Sequence, residues 1–263
     1  MAEQASEKPV EKVKDAAQQA AKKETTSRPR REYRTLLFQV SLFAAIGAFA
    51  VLTFLVKTTP SFPIDLEIER ALQSINSPIF AALMTAISWP GFSPQSFILS
   101  VIIVLAIYLL GLQWEAISAL VAAILPPLIN VLVKDWIRRP RPTIDLVQVF
   151  GVLNSYSFPS GHVMYYVGFY GLLWFLVYTL LKRSWRRALL LIFLGSLISL
   201  VGFSRIYLGQ HWPSDVLGAY LLGGLTLVAI LQFYRWGKKR FFVHQPVAPE
   251  QPKPAGNTRG QTS

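Results

Sequence analysis

Between Leu36 and Val56 the chain runs for 21 residues without a charged side chain. In hydrocarbon every backbone N–H and C=O must be satisfied within its own segment, and about 20 apolar helical residues cross a bilayer core roughly 30 Å thick. The run is therefore read as a membrane-spanning helix. It begins too far into the chain, and is too long, for the apolar region of a cleavable signal peptide. Further apolar runs at Phe97–Leu112, Ala116–Val133, Val163–Leu181, Ala188–Phe203 and Val216–Tyr234 bring the expectation to six spans, the second and fifth short at 16 residues each. Only 15% of the 263 residues are charged and 52% are hydrophobic, whereas soluble domains carry roughly 25% charged residues. The predicted class is an all-α polytopic membrane protein, a six-helix bundle with short surface helices between its first and second spans.

The segments outside the bundle read differently. Residues 1–35 are polar and rich in Ala, Lys and Glu, too poor in apolar surface to fold alone, and are expected to form a disordered basic arm. Residues 235–263 are read as a disordered basic tail, leaving 36–234 as the membrane-embedded domain. After the first span, Ile64, Ile68, Leu72 and Ile75 recur at helical spacing while Asp65, Glu67, Glu69 and Arg70 fall mostly elsewhere, which predicts an amphipathic helix on the membrane surface. The apolar stretch Ile79–Trp89, between Pro78 and Pro90, is too short to span and reads as a second surface or re-entrant helix. Pro126 and Pro127 inside the third span predict a kink. Six of the seven tryptophans, at 89, 114, 136, 185, 212 and 236, fall near predicted span ends, where indole favours the interface.

A net charge of +12 would suggest nucleic acid in a soluble protein, but here it is concentrated at the ends of the chain: +3 in residues 1–35 and +5 from Arg235 onward. Counting Lys and Arg by loop puts 19 on the side of both termini and seven on the other, so the termini are expected to be cytoplasmic. The basic clusters at 182–187 and 235–240 then read as positive-inside anchors that can meet anionic lipid, and nucleic-acid binding is not expected. Cysteine is absent, which removes disulfides, thiolate metal ligands and a thiol nucleophile from consideration.

Five of the seven cations on the extracytoplasmic side lie in or beside three polar stretches at the edges of spans: KDWIRRPRP (Lys134 to Pro142), PSGH (Pro159 to His162) and SRIYLGQHWPSD (Ser204 to Asp215). With an even number of spans between the first and third stretches, all three emerge on one membrane face. Ionisable groups beside hydrocarbon are costly, so such a cluster calls for a functional explanation. Pro140 and Pro142 hold Arg141 on extended backbone. Ser160 can cap the fourth span, and Gly161 lets an anion approach the first-turn amides. Arg205 adds a third cation, and Asp215, four residues after His211, can orient that imidazole. Three cations, helix-end amides and two histidines suit phosphoryl transfer, in which catalysis is mostly positioning and charge neutralisation. One histidine can attack while the other protonates the leaving alcohol.

Together the stretches resemble the signature of the type 2 phosphatidic acid phosphatase superfamily, integral membrane lipid phosphate phosphatases. That signature is Lys, six residues, Arg-Pro; Pro-Ser-Gly-His; then Ser-Arg, five residues, His, three residues, Asp, and every specified position is met. The resemblance covers roughly residues 36–234. It implies that His211 is the nucleophile that forms a phosphohistidine, Asp215 orients it, and His162 is the general acid. It further implies that Lys134, Arg141, Ser160, Gly161 and Arg205 bind the phosphate oxygens, with no metal ion and no cofactor. The expected substrate is a lipid phosphomonoester or diphosphate, such as phosphatidic acid, phosphatidylglycerol phosphate or undecaprenyl diphosphate, reaching the site sideways from the bilayer. The motifs grip phosphate and leave the lipid, and the choice between hydrolysis and phosphate transfer, open.

Blander readings apply to other residues. Arg138 and Arg139 have no slot in the signature and read as interfacial anchors or headgroup contacts. His244 reads as a solvated tail residue. A Ser160-His211-Asp215 triad, as in an intramembrane protease, fits poorly beside three cations, because a peptide carbonyl needs oxyanion donors and not a dianion clamp. A non-catalytic lipid or anion binder, or a transporter, would use the same phosphate pocket. The sequence specifies no oligomeric state.

Overall fold

The computed structural model describes residues 32–151 and 153–242. Of the disordered arm expected at 1–35 and tail expected at 235–263, residues 1–31 and 243–263, His244 among them, lie outside these, whereas 32–35 and 235–242 are helical and continue the first and last spans. Among the described residues the chain is helical, without strands. In order run α1 (Glu32–Thr58), α2 (Pro63–Gln73), α3 (Pro78–Ser88) with a 3-10 turn at Trp89–Gly91, α4 (Gln95–Leu109) and α5 (Gln113–Ile137). Then come α6 (Gly161–Tyr165), a π-helical turn (Tyr166–Tyr170), α7 (Gly171–Leu180), α8 (Trp185–Tyr207) and α9 (Pro213–Gly237). The π turn joins α6 and α7 into one 20-residue crossing.

Among the described residues five helices are long and apolar enough to cross a membrane: α1, α5, α6 with α7, α8, and α9 with the turn that follows it. The expected fifth span is not short, since α8 has 23 residues. The expected second span is short, α4 having 15 residues, and it qualifies only together with α3, from which it is bent by 59°. Counting that bent pair as one gives six. The bend falls on Trp89-Pro90-Gly91-Phe92-Ser93-Pro94, where two prolines remove the amides that a continuous helix would need.

The α6–π–α7 crossing is the centre of the bundle. Val163, Met164, Tyr166, Phe169 and Leu172 are fully buried on it, packed against α5, α8 and α9. Helix α5 continues through Pro126 and Pro127. The Pro126 ring fills the space beside Gly168, where any Cβ would collide with it. At one end of the bundle Trp114 Nε1 donates to the Tyr234 carbonyl (2.9 Å), Tyr234 Oη donates to Glu115 (3.1 Å), and Lys238 pairs with the same carboxylate (2.6 Å). At the other end meet the C-terminus of α5, the N-terminus of α6, the C-terminus of α8 and the N-terminus of α9.

Helix α2 is amphipathic, as its pattern predicts, but with the polar side inward. Ile64, Ile68 and Ile75 are exposed, whereas Asp65 and Glu69 are buried against the bundle. Helix α3 likewise is more than a surface piece: it packs along α8, and Ser204 Oγ donates to the Met84 carbonyl at 2.5 Å.

Candidate active site

Lys134 occupies the last turn of α5, which Arg138 ends in a left-handed conformation (φ 58°). The Lys134 ammonium donates to the Tyr156 carbonyl and lies 3.4 Å from that of Ser157. Beyond the cap the Pro-Arg-Pro segment turns Arg141 inward. Its Nε donates to Ser155 O (2.7 Å), and its Nη2 to Ser155 Oγ (2.9 Å) and Tyr156 O (3.2 Å). Its Nη1 donates to Gln210 O and faces His211 Nε2 at 3.2 Å. Burial draws the Arg141 guanidinium down to about 10, against the opposing pull of Asp215, so it remains a cation at neutral pH.

A guanidinium can only donate. The Nε2 atom of His211 must therefore present its lone pair to Arg141, which assigns the ring proton to Nδ1. Nδ1 lies 3.5 Å from Asp215 Oδ2, an ion-pair distance beyond hydrogen-bond geometry. Burial, and then the charges of Arg141, Lys134 and Arg205, hold the His211 imidazole well below its ordinary value, with the Ser157 carbonyl opposing. His211 is thus neutral at pH 7, with its Nε2 lone pair directed at Arg141.

Asp215 is the third residue of α9. Its carboxylate reaches back to the backbone N–H of the N-cap residue Trp212 (2.9 Å), half of a capping box, and also accepts from Ser157 Oγ. Its other oxygen accepts from Arg139 Nη1 at 2.6 Å. The α6 terminus comes from PSGH as expected: Ser160 is the N-cap, Gly161 the first helical residue and His162 the second. Asn130 Nδ2 ties this turn down through the Pro159 carbonyl (2.9 Å). Ser160 Oγ and His162 Nε2 are both buried without a protein hydrogen-bond partner.

Arg205, fully buried at the end of α8, donates through Nη1 to Ser88 Oγ (3.2 Å), while its Nε and Nη2 meet no protein acceptor. Ser88 and Ser204 are hydrogen-bonded at 2.6 Å. The Phe92 ring lies under the Arg205 guanidinium (5.1 Å) and edge-on to His162 (4.7 Å). All eight expected site residues, Lys134, Arg141, Ser160, Gly161, His162, Arg205, His211 and Asp215, thus sit at one end of the bundle. Among the described residues no group of His, Asp and Glu is arranged to hold a metal ion. The arrangement combines a neutral imidazole lone pair, a second imidazole, three cations and a helix N-terminus, a set suited to an oxyanion whose charge changes during reaction.

The motifs did not point to Asp65, Ser88, Gly91, Phe92 or Arg139, which wall or support the site. Arg139 is no exposed anchor: it is 1% exposed and bridges Asp65 and Asp215. One pattern could have found part of this: Asp65 and Glu69, four apart, share a helix face beside an otherwise apolar stretch. Arg138, by contrast, stays exposed.

A polytopic helical bundle with a histidine and arginine cluster at one end defines a membrane protein built to handle a phosphate-like anion. The pattern of the PAP2 superfamily matches residues 115–239. Phosphatidylglycerophosphatase B of Bacillus subtilis (strain 168) is 33% identical over 198 residues, covering 74% of this chain and 93% of the relative. The crystal structure described as the first transmembrane PAP2 type phosphatidylglycerolphosphate phosphatase from Bacillus subtilis aligns with a TM-score of 0.65 and 31% identity, over 74% of this chain and 96% of that one. The chain belongs to the PAP2 superfamily, as a multi-pass membrane phosphatase.

Proposed function

We propose that the protein hydrolyses the phosphomonoester or diphosphate of a membrane lipid through a phosphohistidine on His211. The observation that carries this reading is the Arg141–His211 contact. A guanidinium 3.2 Å from Nε2 keeps that nitrogen unprotonated and lies where it can also grip a phosphoryl oxygen. His211 Nε2 attacks phosphorus in line, the phosphorus–oxygen bond to the lipid breaks, and protonated His162 delivers its proton to the leaving oxygen. His162 then takes a proton from water, the hydroxide attacks phosphorus, and the His211–phosphorus bond breaks to release phosphate. Lys134, Arg141, Arg205, Ser160 Oγ and the amide of Gly161 neutralise the phosphoryl oxygens, and Asp215 stabilises the proton on Nδ1.

The lipid headgroup binds at the extracytoplasmic face, as the Lys and Arg distribution supports. An apolar groove of about 630 Å³ between α4 and α5 offers the lipid chain a seat open to the bilayer. It runs from Ser96 and Tyr165, three residues beyond His162, to Tyr108 and Ala116 near the other end of the bundle. Among candidate lipids, the names of the relatives favour phosphatidylglycerol phosphate over phosphatidic acid and undecaprenyl diphosphate.

The test is phosphate release by the purified full chain in detergent from these three lipids, with His211→Ala alongside. Release by wild type and loss of at least about 10⁴-fold in folded His211→Ala are expected. Near-normal turnover by His211→Ala would sink the mechanism. Because His211 is held neutral far below its ordinary range, the acidic limb of the rate profile should also lie well below pH 6.5.

A further inference from the structure

Behind His211, on the side away from Arg141, lies a second charged assembly that the signature does not include. Arg139 is fully committed there: Nε donates to Pro60 O (2.9 Å), Nη1 to Ser214 Oγ (2.7 Å) and Asp215 Oδ1 (2.6 Å), and Nη2 to Asp65 Oδ2 (2.9 Å). Asp65 comes from α2, outside the residues matched by the family pattern. It also accepts from the Ser214 backbone N–H (2.9 Å) and from Ser214 Oγ (2.6 Å). Ser214 N is an otherwise orphaned first-turn amide of α9, and the N-cap Trp212 has no side-chain acceptor for it. Asp65 thus caps α9 from another helix.

We propose that Asp65 and Arg139 are positioning residues for the reaction, a carboxylate–guanidinium–carboxylate relay that fixes the Asp215 carboxylate against His211. The proposal rests on the reading of His211 as nucleophile. Asp215 accepts three hydrogen bonds: Arg139 holds Oδ1, while Oδ2 accepts from Ser157 Oγ and Trp212 N and faces His211 Nδ1 at 3.5 Å. Without the guanidinium on Oδ1, the carboxylate is held only through Oδ2, by Ser157 and Trp212 N, and can tilt about that oxygen, so its distance and angle to Nδ1–H are no longer fixed. The planar fork of Arg139 is fixed in turn by Asp65. Without that charge the guanidinium loses the acceptor that orients Nη2, and with it the direction of Nη1. The relay touches neither the phosphoryl cations nor the lipid groove, so it acts on turnover and not on lipid binding.

A purely architectural staple between α2 and α9 would give the same contacts but not the same kinetics. The experiment measures kcat and KM for phosphate release from phosphatidylglycerol phosphate by the full chain in micelles, for Asp65→Asn, Arg139→Lys, the double variant and His211→Ala, with folding checked by thermal unfolding. Lysine keeps the charge but, as a point cation, cannot hold both carboxylates. The expected result is a fall in kcat of about 10- to 100-fold for each single variant, as for a misplaced catalytic group, with KM within about twofold of wild type. The double variant should be no slower than Arg139→Lys alone, because both changes break one relay. Wild-type kcat in folded Asp65→Asn and Arg139→Lys, with His211→Ala inactive, would overturn the relay alone. So would losses that fall on KM and multiply in the double variant. Activity in His211→Ala would overturn the nucleophile instead. Should Arg139→Lys fail to fold, kcat of the near-isosteric Asp65→Asn decides.

Discussion

Arg205 and Arg139 are both buried arginines beside His211, and they are satisfied in opposite ways. Arg139 uses all three nitrogens on protein acceptors, two of them carboxylates. Arg205 makes one hydrogen bond, to a serine hydroxyl, and rests on the face of Phe92, with Nε and Nη2 unpartnered. Ser160 Oγ and His162 Nε2, which also lack partners, belong to the Arg205 side. A buried polar group without a partner is costly, and such groups are rare in folded proteins. Around Arg205 such groups lie next to the phosphate motifs, where a ligand can supply the missing partners; on the other side, Glu69 and His211 Nδ1 also lack hydrogen-bond partners. The Arg139 guanidinium, satisfied at every nitrogen, holds the scaffold still.

The largest expected effect tests that contrast directly, by replacing each arginine with methionine. Arg205→Met should lower kcat by about 10²- to 10³-fold, the usual cost of removing an oxyanion donor. It should leave the melting temperature equal to or above that of wild type, because a poorly compensated buried charge is gone. Arg139→Met leaves Asp65 and Asp215 buried without their cation and should cost about 3–5 kcal/mol of stability. Phosphate release and thermal unfolding in micelles check both. If Arg205→Met melts well below Arg139→Met, the division into ligand side and scaffold side fails.

A smaller effect probes how the ligand side is walled. A Cβ on Gly91 would collide with His162 Cδ2 and lie 2.8 Å from Tyr166 Cε2. Tyr166 is fixed by its hydrogen bond to the Ile87 carbonyl (2.6 Å), so the imidazole is the group that yields. Gly91→Ala should therefore lower kcat by about tenfold, displacement of a general acid costing less than its removal. KM should change little. The same loss from Gly224→Ala, where an added Cβ meets nothing within 4 Å, would show that the effect is not specific to His162.

These two sides were not equally legible in the sequence. The ligand side lies in contiguous motifs with fixed spacing, and Lys134, Arg141, Ser160, His162, Arg205 and His211 sit at span edges where a charge stands out against apolar neighbours. The spans themselves were readable for the same reason, including the shortness of α4, though not the full length of α8 or the pairing of α4 with α3. The scaffold side is assembled from distant pieces. Asp65 and Arg139 are 74 residues apart, and only tertiary packing reveals that they meet. Arg139 also sits in a run with Arg138 and Arg141, so its composition resembles that of an interfacial anchor. Periodicity identified α2 but not which face turns inward, because beside a bilayer an apolar face can point outward. The bend between α3 and α4, with Ser88, Gly91 and Phe92 on it, was visible as prolines but not as a wall of the site.

The smallest expected effect concerns Glu69, which shares the inward face of α2 with Asp65 yet, unlike it, has no hydrogen-bond partner on either oxygen. It is fully buried. Burial, and then the charges of Asp215 and Asp65, push its carboxyl from 4.5 up to about 8. A group whose folded value is raised binds its proton more tightly in the folded than in the unfolded chain. Its stabilising contribution is complete below pH 4.5 and is lost progressively as pH rises toward 8, where the folded chain must hold a bare carboxylate in the interior. Glu69→Gln has no such proton to lose. The melting temperature of Glu69→Gln relative to wild type should therefore rise by a few degrees between pH 5 and pH 8, whatever its value at pH 5. A difference that stays constant across that range would mean that water reaches Glu69, and that the scaffold side is less closed than its hydrogen bonds imply.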